Sequence, residues 1–105
     1  ELMSQDQPPT ALICGDDMMA LGAIQGLQEM KYRVPDDVSV IGFDDVILAR
    51  FATPSLTTVR QDAYQKGRVA ANMLVKLMSG SSKTGPVQVV LDTELGVRNS
   101  TGPVR

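Results

Sequence analysis

Apolar and polar positions along this chain switch between two periods, and the switches mark its elements. Residues 10–14, TALIC, form a short apolar run that stops at Gly15, and the length favours a buried strand over a helix. From Asp16 to Met30 the period changes, with Ala20, Ala23, Ile24, Leu27 and Met30 recurring at helical spacing. Residues 31–37, KYRVPDD, read as a return loop in which Pro35 blocks a helix and opens a turn, and residues 38–42, VSVIG, as a second strand. Strand, helix and strand within about 30 residues make a βαβ unit, with parallel strands and a right-handed crossover. Gly22 and Gly26 each cost about 1 kcal/mol against alanine inside a helix. Close approach of that helix to a sheet is the expected justification.

Residues 46–52 can form about two helical turns, ended by Thr53 and Pro54. The β-branched stretch 55–61, SLTTVRQ, predicts a third strand or extended crossing segment. Asp62 then caps a longer helix to about Ser79, with an apolar stripe of Gly67, Ala70, Ala71, Leu74, Leu77 and Met78 and with Gly80 as its stop. Residues 81–86 read as a flexible loop, 87–91 (VQVVL) and 94–98 (ELGVR) as two late strands, and 99–105 as a tail. The class is α/β, with a parallel sheet and flanking helices.

Length then bounds the reading: 105 residues are one domain at most. The opening residues carry no initiator methionine, no signal peptide and no capped first element, so the chain is expected to be part of a longer protein. Apolar content of 43% and charged content of 21% are ordinary globular values, and no window has the ~18 consecutive apolar residues that a membrane span needs. Net charge is −2, with ten dispersed Lys and Arg, so this segment offers no electrostatic footprint for nucleic acid. Cys14 is single and sits in an apolar strand, which reads as a small buried thiol and fits a cytoplasmic setting. Without a histidine, Ser/His and Cys/His nucleophile pairs and the usual zinc ligand sets drop out, and no metal or cofactor is expected.

The candidate chemistry is acidic. Ligands of open parallel sheets bind beyond the carboxyl ends of the strands. Asp16 and Asp17 follow the first strand there, and Asp44 and Asp45 follow the second. If the strands are neighbours, the pairs share one crevice. Aspartate is among the best N-caps, but adjacent side chains do not both cap one helix. Asp17 and Asp45 are therefore expected as caps, and Asp16 and Asp44 as the groups that face the crevice. Asp36 and Asp37 lie at the opposite rim and read as turn chemistry. Carboxylates in a crevice suit polyhydroxyl ligands, whose hydroxyls they accept in charge-assisted bonds, and repel phosphate. A paired-carboxylate glycosidase is conceivable on composition, but nothing else in the chain supports hydrolysis, so no enzyme is expected.

Three stretches in order, 19–22 (MALG), 34–45 (VPDDVSVIGFDD) and 56–61 (LTTVRQ), resemble the lac/gal repressor family of bacterial transcription regulators, with likeness over residues 10–98. The resemblance implies a periplasmic-binding-protein-like type I effector domain of two lobes, of which this is the C-terminal portion. Residues 1–58 and 92–105 would belong to the C-terminal lobe and 59–91 to the N-terminal lobe, with crossings near 58–61 and 89–92. Asp44 matches the aspartate that hydrogen-bonds the effector. Asp16 stands where the family usually has an effector-facing asparagine. An ionised aspartate only accepts, so a ligand with hydroxyl or amino donors is implied there. Gln61 and Ala63 match positions near the cleft, although Gln61 can equally serve the backbone of the crossing strand. Phe43 is either a cleft wall or a buried aromatic ending its strand.

Met18, Leu21 and Gln25 form a helix face apart from the packing stripe, either broad core or partner surface. The resemblance implies a homodimer interface, or a tetramer built on it, together with Leu48 and Phe51. It also implies a sugar effector, and operator DNA bound through a helix-turn-helix outside this segment. The rival is a periplasmic sugar-binding protein of a transporter, which shares the fold.

Overall fold

The computed structural model describes residues 2–80 and 85–104. After a short 3-10 turn at Leu2–Ser4, the elements are β1 (Ala11–Ile13), α1 (Asp17–Glu29), β2 (Ser39–Phe43), α2 (Ile47–Phe51), β3 (Thr57–Gln61), α3 (Ala63–Met78) and β4 (Thr93–Gly96). They form one sheet in the order β1-β2-β3-β4. β1, β2 and β3 run parallel, with Ile13 beside Ile41 and Phe43 beside Val59. β4 closes the order antiparallel to β3, with Thr93 beside Gln61. The βαβ unit predicted from periodicity is therefore present, and Gly80 ends α3 with a φ of 68°.

The core is narrow and comes from one part of the chain. Ala20, Ile24 and Leu27 of α1 pack with Val38, Val40, Ala49 and Leu56. Gly42 is where this packing leaves least room: a Cβ there would collide with Asp17 Oδ1 and come within 2.9 Å of Leu56 Cδ2 and 3.2 Å of Ala20 Cβ. Gly22 and Gly26, expected to let the helix approach the sheet, do not serve that end, since a Cβ at either would meet nothing within 4 Å. The close approach falls on the strand's glycine.

Three further expectations are corrected. Residues 87–91 are not a strand: alternation supplies apolar side chains but no ladder, and no described strand pairs with them. The apolar stripe of α3 is not packed. None of its residues is buried, and Leu74, Leu77 and Met78 are more than half exposed. The Cα radius of gyration of 18.6 Å, against about 13 Å for a compact chain of this length, reflects the same departure from close packing. The flexible loop expected at 81–86 lies mostly outside the described residues.

The third correction concerns the end of the chain, which is no loose tail. Ser100 is fully buried between the amino halves of β2 and β3. Its carbonyl accepts from Val40 N at 2.8 Å, its hydroxyl donates to Val40 O at 2.7 Å, and the same oxygen accepts from Thr57 N at 2.7 Å. Asn99 N to Ser55 O (3.0 Å) and Gly102 N to Ser39 Oγ (3.1 Å) extend the seam. One short side chain thus satisfies backbone groups that the parallel ladder leaves open at its start.

Ser100→Ala should leave Val40 O and Thr57 N without their side-chain partner and cost about 1–3 kcal/mol, read as a lower denaturation midpoint of the full-length protein at an unchanged denaturant slope.

Candidate effector site

The carboxyl rim of the parallel strands collects the acids, as strand adjacency requires. Ile13 and Ile41 are register partners, and Asp16 and Asp44 each follow three residues later. Gln61 ends β3 on the same side. Asp44 Oδ1 accepts a hydrogen bond from Gln61 Nε2, and Gln61 Oε1 accepts from Lys66 Nζ at 3.1 Å. Gln61 also keeps its place in the crossing strand beside Thr93, so both of its anticipated uses coexist. A hollow of about 220 Å³ adjoins it, bringing Gln61 and Lys66 together with Leu91 and Asp92. A larger hollow of about 640 Å³ lies between α3 and residues 85–89, but its apolar lining shares no residue with the acid rim.

The cap assignments are reversed within the first pair. Asp16, not Asp17, is the N-cap of α1, with extended backbone (φ −152°, ψ 172°) and Oδ1 accepting from Met19 N at 2.7 Å. The helix begins one residue later than the acid pair, which makes Asp16 the flanking residue. Asp17, as the first helical residue, turns inward and is fully buried. There its Oδ1 accepts from the Thr58 hydroxyl at 2.5 Å and its Oδ2 from Val46 N at 2.8 Å. Asp16 can still face the rim, since its second oxygen has no hydrogen bond among the described residues.

Asp45 is not a cap either. The N-cap of α2 is Val46, whose side chain has no acceptor, and its amide is met by Asp17 from across the fold. The Asp45 side chain is 6% exposed and forms ion pairs with Arg98 Nη2 at 2.5 Å and Arg50 Nη2 at 3.3 Å. Arg98 also donates through Nη1 to Leu56 O at 2.8 Å. Burial pushes the Asp45 carboxyl up, but the hydrogen bonds from Arg98 and Arg50, with their charges, outweigh it and hold the carboxyl below its ordinary pKa of 3.8. Asp44 and Asp45 both have positive φ, 112° and 54°, at a cost of about 1–3 kcal/mol each that surrounding contacts must offset.

The remaining positions are less committed. Phe43 is half-buried at the end of β2 and Ala63 is exposed at the start of α3. Cys14 is half-buried, and burial, then the Asp16 charge, raises its thiol pKa, which makes it a poor nucleophile. Asp37 accepts from Arg33 N at 2.8 Å within its turn. Met18 and Gln25 are exposed on α1, and Leu48 (50%) and Phe51 (76%) are exposed on α2. Leu21 is half-buried against the core, so part of its surface is already used. Sequence reasoning missed Asp17, Thr58, Lys66 and Arg98 as parts of the site. Thr58 lay inside a recognised motif but read only as strand, and Arg98 sits 53 residues from its partner, a separation that no local period reports.

Because the folded pKa of Asp45 is depressed, its contribution is present above the unfolded value near 3.8 and is lost as pH falls through the folded one. Asp45→Asn should cost about 2–3 kcal/mol at neutral pH. The deficit against wild type should shrink as pH drops below about 4, measured by denaturation at a series of pH values.

A model of the periplasmic binding protein-like domain matches residues 1–101. The chain is 42% identical to the HTH-type transcriptional repressor CytR of Escherichia coli K12 over 101 residues, 96% of this chain and 29% of CytR. Among solved structures it superposes on a complex of the transcriptional regulator CelR with cellobiose at a TM-score of 0.82, with 41% identity over 87% of this chain and 28% of that one. It also superposes on the lac repressor dimer bound to operator and the anti-inducer ONPF at a TM-score of 0.79, with 35% identity over 89% of this chain and 32% of that one. The chain thus spans about three-tenths of the length of these relatives. A family match over nearly the whole sequence, and an acid rim beyond parallel strands, together mean that this chain belongs to the periplasmic binding protein-like domain family, in the form carried by lac/gal-type transcriptional regulators.

Proposed function

We propose that the chain is the C-terminal part of the effector-binding and dimerisation unit of a sugar-responsive transcriptional repressor. The ligand would lie in a cleft between two lobes and bias operator binding by a DNA-binding head elsewhere in the parent protein. The observation that carries this reading is the Asp44–Gln61 pair, a carboxylate held across β2 and β3 at the rim where such folds bind ligands. Asp16, one strand over, adds a second acceptor. Two carboxylates facing one rim select hydroxyl or amino donors and disfavour phosphate. CelR, with its cellobiose, is a relative of that kind. The relatives being repressors favours a regulator over a transporter component or a hydrolase.

The lobe division proposed here assigns residues 1–58 and 92–105 to one lobe and 59–91 to the other. Among the described residues every buried apolar residue lies at or before Leu56, Ser100 is buried with them, and α3 contributes none. That distribution supports the division. Ligand that binds one lobe closure better than another shifts the equilibrium by its differential affinity, and about 1–3 kcal/mol of coupling is usual for such systems. Phe51 and Leu48 on α2, with Met18 on α1, supply exposed apolar surface for a second copy.

In the full-length protein, a thermal-shift screen of neutral sugars should find a stabilising ligand, and Asp44→Ala should weaken it about tenfold or more, the loss expected for a charge-assisted hydrogen bond. Unchanged sugar affinity in that variant would refute the assignment. Phe51→Asp should convert the dimer into a folded monomer by size-exclusion chromatography; a dimer that persists places the interface elsewhere.

A further inference from the structure

Asp44 presents its carboxylate from a loop whose conformation is imposed from outside. With both acids at positive φ, residues 44–46 follow no regular path, and their amides end on specific acceptors. The Asp44 amide donates to Val59 O at 2.9 Å, the Asp45 amide to Thr58 Oγ1 at 3.3 Å, and the Val46 amide to Asp17 Oδ2 at 2.8 Å. The Thr58 hydroxyl in turn donates a hydrogen bond to Asp17 Oδ1 at 2.5 Å. Two of three consecutive amides therefore rest on one fully buried pair, Asp17 and Thr58. Gly42 makes the pair possible, because any Cβ there would occupy the carboxylate's place.

We propose that Asp17 and Thr58 are positioning residues of the effector site: neither touches ligand, and both set its affinity by holding the loop that aims Asp44. The proposal rests on the ligand reading of Asp44 given above. Its geometry is asymmetric in a useful way. Thr58 both donates and accepts, so removing its hydroxyl releases the Asp45 amide and one Asp17 oxygen together. The Asp16 cap on Met19 N is a separate contact and should not respond.

The test uses Thr58→Val and Thr58→Ser in the full-length protein, with hydrogen exchange followed by mass spectrometry and with cellobiose and other neutral disaccharides as probes. Thr58→Val should speed exchange at 44–46 by about tenfold, leave exchange at Met19 unchanged and weaken sugar binding about tenfold; Thr58→Ser should restore both. Combined with Asp44→Asn, Thr58→Val should add little further loss of affinity, since it acts through Asp44. A purely structural role would lower stability while leaving the two affinity losses additive. Full additivity, or wild-type exchange at 44–46 in Thr58→Val, overturns the proposal. Should Thr58→Val fail to fold, Asp17→Asn reads the same exchange at Val46, with the same outcomes. If Asp44→Asn binds sugar as wild type does, the ligand reading falls, while exchange at 44–46 still decides whether the pair orders the loop.

Discussion

A buried carboxylate organises this fold. Asp17 gives one oxygen to the Thr58 hydroxyl and the other to the amide of Val46, so a single side chain joins the start of α1 to β3 and to the entry of α2. The constraint reaches further than its two bonds. A carboxylate in that place forbids any side chain at residue 42, and taking it away would leave a backbone amide and a hydroxyl unsatisfied in the interior, where such groups are costly.

The loop from β2 to α2 is where the rest of the chain converges. Asp44 is held by Gln61 at the end of β3, and Asp45, the next residue, by Arg98 just after β4. Consecutive acids are thus tied to the end of one strand and to the segment that follows another, and both carry backbone conformations that a residue with a side chain rarely adopts. Their electrostatic situations differ. Asp45 faces two arginines and is occupied internally, whereas Asp44 accepts from the side-chain amide of Gln61. Two residues alike in sequence become an internal strut and a rim acceptor because of what lies across from each.

The organisation of the sheet follows a similar division. Core packing and the Ser100 seam both concentrate on β2 and the start of β3. The apolar sides of α3 and of residues 87–91 stay open, whereas Asp44 follows β2, the strand that packs into the core through Val40.

Local order was legible in the residues themselves. The strand before Gly15, though not its expected burial, since Ile13 is 83% exposed, the helical stripe through Ala20, Ile24 and Leu27, the Pro35 turn and the Asp62 cap each follow from period or from cap and turn chemistry, and the three motifs pointed to the family. Place along the chain also identified the rim, since acids that follow parallel strands must gather at one edge. What lay beyond local pattern was partnership across long separations. Which acid of each pair caps depends on the residue at which a helix begins, and a one-residue difference sends Asp17 inward instead of Asp16. That Asp45 meets Arg98, that Ser100 closes the seam between Val40 and Thr57, and that VQVVL finds no described strand to pair with were decided by which backbone and side-chain groups tertiary packing brings together. Hydrophobic period records the face of an element; it carries no label for the group on the other side.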